Sequence, residues 1–76
     1  MKEVLELIIK NLVENQEEVS ITEKEDGKFI NYEVKVSKKD MGKVIGKQGK
    51  MAKAIRTFMK SVAGKDHKKV NIEFLD

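Results

Sequence analysis

Residues 41 to 50 read MGKVIGKQGK, with three glycines (Gly42, Gly46, Gly49) and three lysines (Lys43, Lys47, Lys50) around one apolar pair, Val44-Ile45. Gly46 stops whatever helix carries that pair, and Gly49 can open the next one. Asp40 is placed to accept hydrogen bonds from the free N–H groups of a short helix over roughly 41–45. Downstream, Met51, Ala54, Ile55, Phe58, Met59 and Val62 recur at helical spacing, which predicts a second helix from Gly49 to about Ala63 with those six on its buried side. Lys53, Arg56 and Lys60 fall on the opposite side. Gly64 suits the C-cap, and after the polar loop 65–68 the strict alternation of Val70, Ile72 and Phe74 predicts a strand.

Upstream, Val4, Leu5, Ile8, Ile9 and Leu12 make one helical stripe within 2–14, and Asn15 suits a left-handed cap. Val19 and Ile21, then Ile30, Tyr32, Val34 and Val36, alternate on either side of an Asp26-Gly27 turn, which predicts a hairpin. The expected fold class is α+β in the order α-β-β-α-α-β. A crossover of two helices usually joins parallel strands, so the expectation is a three-stranded mixed sheet over 19–26, 28–36 and 69–75. Asn31, Glu33, Lys35, Asn71 and Glu73 then face water, leaving all three helices on one face.

Seventy-six residues allow one domain, 1–76, with one small core. The chain has no cysteine, hence no disulfide framework and no thiolate metal site. It has no apolar run near the roughly 20 residues of a membrane span and no signal-peptide pattern after Met1, so the expectation is a soluble, cytoplasmic protein. The net charge of +3 is unevenly spread: residues 1–36 hold five lysines against nine acids, residues 37–76 eleven basic residues against four acids. The basic half points to an anionic partner; a solvated lysine-rich helix explains the charge equally well.

A bare G-x-x-G is common by chance at a glycine frequency of about 7%. Here it lies between two amphipathic helices, follows an apolar pair, and has one lysine inside it and another directly after. Without Cβ atoms, Gly46 and Gly49 let a sugar-phosphate backbone approach the main chain, next to the N-terminal amides of a helix. The bland alternative is a helix corner whose glycines only permit a close bend, although such a bend has no use for Lys-Gln at its tip. A Walker loop is excluded because Gly42 to Gly46 leaves three intervening residues and Gln48 follows Lys47; the glycines also miss G-x-G-x-x-G.

The segment Val44-Ile45-Gly46-Lys47-Gln48-Gly49-Lys50-Met51-Ala52-Lys53-Ala54-Ile55 resembles the core of a KH domain, (I/V)-I-G-x-x-G followed by a helix. The element order is similar to the prokaryotic type II arrangement, and the whole chain is similar to the small bacterial single-KH proteins of the KhpA type. Ala52 departs from the broader KH pattern, in which many relatives carry a larger aliphatic. The resemblance implies single-stranded RNA in a narrow groove about four nucleotides long, with the loop against the backbone. Carried over, Gly46, Lys47, Gln48 and Gly49 form the clamp, Val44 and Ile45 the groove wall or its support, and Lys43 and Lys50 the flanks. Lys68, Lys69 and Asn71 would approach from the facing strand. Lys53 and Arg56 are weaker members of the set, and Lys60 reads as solvated. The resemblance further implies a homodimer, a heteromer with a larger RNA-binding protein of the KhpB (Jag) type, and a role as post-transcriptional regulator or RNA chaperone.

The four aromatic residues, Phe29, Tyr32, Phe58 and Phe74, are too few for a stacking platform, and all but Phe29 have core periodicity. Binding is therefore expected to be weak and of low sequence specificity. Neither a catalytic constellation nor a cofactor or metal is expected, since His67 is the sole histidine and reads as an exposed spectator. A protein adaptor is the rival reading, because Leu7, Val13 and Phe29 are apolar residues to spare at the margins of the core or beyond it.

Overall fold

The computed structural model describes residues 1–75. Helix α1 (Lys2–Leu12) is followed by a single 3-10 turn and the hairpin of β1 (Ser20–Asp26) and β2 (Phe29–Lys35). Then come α2 (Lys38–Ile45), the glycine turn (Lys47–Gly49), α3 (Lys50–Gly64) and β3 (Lys69–Leu75). The order is the expected α-β-β-α-α-β. The sheet runs β1-β2-β3, antiparallel between β1 and β2 and parallel between β2 and β3. Period-2 alternation sends Ile21, Ile30, Tyr32, Val34, Val70 and Ile72 to the helix side, where they meet Leu5, Ile9, Val44, Ile55, Met59 and Ala63. Among the described residues no helix is long and apolar enough to cross a membrane.

Several local expectations are corrected. The two hairpin residues are Gly27-Lys28, because Asp26 still pairs with Phe29; Gly27 takes φ +61, the first position of a tight turn that glycine fills without strain. Helix α1 ends at Leu12 with Val13 extended, and Asn15 has φ −94, so it is not a left-handed cap. Its amide instead donates to Asp40 Oδ2 at 3.0 Å, beside the Glu14 amide on Oδ1 at 3.1 Å. Asp40 is therefore not the cap of α2, which starts three residues earlier after Ser37. It lies in the first turn of α2, 1% exposed, and Ser37 Oγ donates to it at 2.9 Å. Gly64 is not the C-cap; α3 runs through it, and His67 takes the left-handed conformation at φ +56.

The buried stripe of α3 consists of Ala52, Ile55, Met59 and Ala63. Met51, Ala54 and Phe58, expected inside, are exposed, Met51 at 37% and Phe58 at 50%, whereas Ala52 is 2% exposed. The stripe is rotated because its small residues, Ala52 and Ala63, let the helix approach the sheet, and hydrophobicity alone ranks Phe58 above them. Tyr32 is fully buried and its hydroxyl donates to Glu23 Oε1 at 2.7 Å. Burial and the neighbouring carboxylate both push the phenol well above its ordinary value.

Candidate nucleic-acid interface

The α2–α3 corner is built by three backbone conformations that side chains rarely adopt. Gly46 (φ +76, ψ 178) ends α2 with its amide on the Gly42 carbonyl at 2.9 Å. Gln48 (φ +56) and Gly49 (φ +74) complete a single turn closed by the Gly49 amide on the Gly46 carbonyl at 3.3 Å. The two glycines of the motif are needed for different reasons. A Cβ on Gly46 would lie 2.7 Å from Met51 Cβ and 2.8 Å from the Met51 backbone nitrogen, so Gly46 lets α3 begin directly against the turn. A Cβ on Gly49 would meet nothing within 4 Å. Gly49 therefore leaves open space above the main chain, and only its positive φ argues for glycine.

Lys47, Gln48 and Lys50 are exposed around that space. Among the described residues, neither lysine forms an ion pair with an acid. Lys43 stands one turn back and is committed elsewhere: its ammonium pairs with Glu14 at 2.9 Å and with Asp40 at 3.6 Å. Hydrogen bonding to Glu14 raises its pKa, which holds it in the charged form. Val44 is fully buried and is support for the groove rather than its surface, while Ile45 is half-buried against the core.

Lys53, Arg56 and Lys60 recur at i, i+3 and i+7, so they share one flank of α3. The structure brings that flank to the edge of β3: Arg56 Nε donates to the Ile72 carbonyl at 3.2 Å, and its guanidinium lies 5.3 Å from the centroid of Phe74. Arg56, a weaker member of the set in sequence, is thus the residue that ties α3 to the facing strand. Asn71 goes the other way. Its side chain bonds Asn31 at 2.7 Å on the open face of the sheet, away from the helices. Lys69 shares that face, with its ammonium 5.7 Å from the ring centroid of Phe29. Lys68 is half-buried and pairs with Glu25 at 2.6 Å. That hydrogen bond raises its pKa.

A cleft of about 400 Å³ lies between the C-terminal half of α3 and the start of β3, lined by Lys60, Lys68, Lys69 and Val70. Lys60, expected to be solvated, is exposed, and its i+7 relation to Lys53 puts it on the same flank as Arg56. A second groove, of about 420 Å³, lies between α1 and α3 and is lined by Val4, Leu7, Ile8, Ala54, Ile55 and Phe58. Among the described residues no group of three or more His, Cys, Asp or Glu side chains could hold a metal ion.

The family described as KhpA/KhpB, KH domain, matches residues 2–74. A Clostridium perfringens protein named RNA-binding protein KhpA is 52% identical over 75 residues, covering 99% of this chain and all of the relative. Proteins of the same name from Chlamydia trachomatis serovar D (49% identical, all of this chain and 97% of the relative) and Listeria monocytogenes (46%, all of both) are similar over the same span. No solved structure matched the chain. The match extends from α1 into β3 and includes the glycine turn with its flanking lysines, and the chain belongs to the KhpA/KhpB family of KH domains.

Proposed function

We propose that this chain, as one KH domain, binds single-stranded RNA, with the Gly46–Gly49 turn against the sugar-phosphate backbone. The observation that carries the reading is the open space above Gly49 between two lysines that pair with no acid among the described residues. The names of the relatives support the ligand class, and the fold supports the mode, a short segment held between α3 and the β3 edge. Arg56 and Lys53 line the path, Lys47 and Lys50 hold phosphates at its end, and no chemical step is involved. The side chains along this path are cations suited to phosphates, which supports low sequence specificity and a role in post-transcriptional regulation or as an RNA chaperone in the cytoplasm.

Fluorescence anisotropy with a labelled mixed-sequence RNA tests this. The double substitution Lys47→Asp with Gln48→Asp is expected to lower affinity at least tenfold while the circular dichroism spectrum is unchanged; both positions are exposed, and aspartate tolerates the positive φ at 48. For the wild type, log K should fall with log salt by about 0.7 per phosphate contacted. Equal binding by both proteins would remove the clamp and leave the adaptor reading.

The apolar groove supports a homodimer. Leu7 and Phe58 are 65% and 50% exposed beside the shallow floor at Ala54, so one surface carries both projections and hollow, as a two-fold interface requires. Its lining has no charged residue, so two copies can meet without an unpaired charge. Sedimentation equilibrium should find a dimer for the wild type and a monomer for Phe58→Asp; a wild-type monomer at 100 μM or so, well above the weak-complex range, would remove this interface. The joint KhpA/KhpB description supports a heteromer with a KhpB-type chain as a further assembly.

A further inference from the structure

We propose that the cleft lined by Lys60, Lys68, Lys69 and Val70 is a second phosphate subsite for the same RNA strand, at the far end of α3 from the glycine turn. This rests on the RNA reading above and extends the footprint past the segment the loop holds. Helix α3 has 15 residues, about 22 Å, so the cleft and the turn are separate contacts. They are joined by the single flank that carries Lys53, Arg56 and Lys60. The Arg56 contacts to Ile72 and Phe74 hold this flank along the β3 edge, and Val70, two residues before Ile72 on the same face of β3, continues that edge into the cleft.

The charge balance along this line selects a polyanion. Among the described residues Lys53 and Lys60 form no ion pair with an acid, while the Lys69 ammonium lies over Phe29 on the open face of the sheet and is not counted in this row. A compact anion would use the cleft and leave the row of cations idle, whereas a strand with regularly spaced phosphates uses both. The C-terminal end of α3 opposes an anion with about half a unit charge, which the lysine ammonium groups exceed. Glu25 is the counterweight. It bridges from β1 to Lys68 at 2.6 Å and competes with phosphate for that lysine, so it holds one cation of the subsite in reserve.

The test compares a 6-nucleotide and a 20-nucleotide oligouridine by anisotropy across 50–300 mM salt. Lys60→Glu should leave the short RNA within twofold of wild type. It should weaken the long RNA about three- to tenfold and make its salt slope shallower by about 0.7 per phosphate lost. Glu25→Gln should act in the opposite direction and strengthen only the long RNA. Lys60 and Glu25 are exposed, and circular dichroism checks the fold. An unchanged affinity and slope for the long RNA in the lysine variant would overturn the subsite. An affinity that Glu25→Gln leaves unchanged or lowers would overturn the counterweight. Neither result touches the loop reading, which fails separately if Lys47→Asp with Gln48→Asp binds the short RNA as the wild type does.

Discussion

Replacing Gly46 with alanine is expected to lower the melting temperature by roughly 15 °C or more, while Gly49→Ala lowers it by only about 5 °C. The two positions share nearly the same φ but not the same ψ: Gly49 (ψ 12) is left-handed helical, which costs alanine about 1–2 kcal/mol, whereas Gly46 (ψ 178) lies in a region essentially confined to glycine. Space widens the difference. An alanine Cβ at 46 collides with the backbone nitrogen of Met51, and backbone in the first turn of α3 cannot move without shifting the helix. An alanine Cβ at 49 enters empty space. Thermal melts followed at 222 nm separate the two, and equal losses would mean that the turn relaxes around Met51. The same pair separates stability from binding. Gly49→Ala should remain folded yet bind RNA at least fivefold more weakly, because its methyl group occupies the room that a phosphate needs.

Asp40→Ala is the second large effect, with an expected drop on the order of 10 °C. The carboxylate accepts the amides of Glu14 and Asn15 and the hydroxyl of Ser37, so it joins the segment after α1 to the start of α2. Alanine leaves those donors without their acceptor in a part-buried place. Hydrogen bonds from the Asn15 and Glu14 amides hold the carboxyl at about 2, against 3.8 for an ordinary aspartate. The folded state therefore binds this proton less readily than the unfolded chain, and the stabilisation is present above about pH 4 and lost as pH falls toward 2. Wild-type melting temperatures should decline through that window, and those of Asp40→Asn should decline less. An identical acid decline in both would assign the loss to other carboxylates.

Element order, strand order and the parallel closure of the sheet were legible because the strands carry an alternation, whereas the hairpin register was not, since the turn falls at Gly27-Lys28. The crossover length left one sensible way to connect them. The loop itself was legible from glycine spacing and the lysines around it. Asp40 was misread because sequence places an acid near a helix start and suggests a cap, while its true partners lie 25 and 26 residues away. Phe58 was misread because a periodic stripe gives the direction of a helical face only to within about one residue's rotation, and Ala52 and Ala63 decide which side packs closest. The contact of Arg56 with β3 was not legible for a related reason: the flank it occupies meets that strand only in the folded chain.

The contact from Arg56 to Ile72 also bears on how the protein behaves when concentrated. A three-stranded sheet has two open sides along which further chains can add strand by strand, the usual start of aggregation. On one side, β1 carries Glu23, Lys24, Glu25 and Asp26 in succession, and a like copy would bring those charges together. On the other, the arginine already occupies a carbonyl that an incoming strand would need. The side chain that we propose guides a nucleic acid along the groove therefore also acts as a gatekeeper against strand addition at that edge.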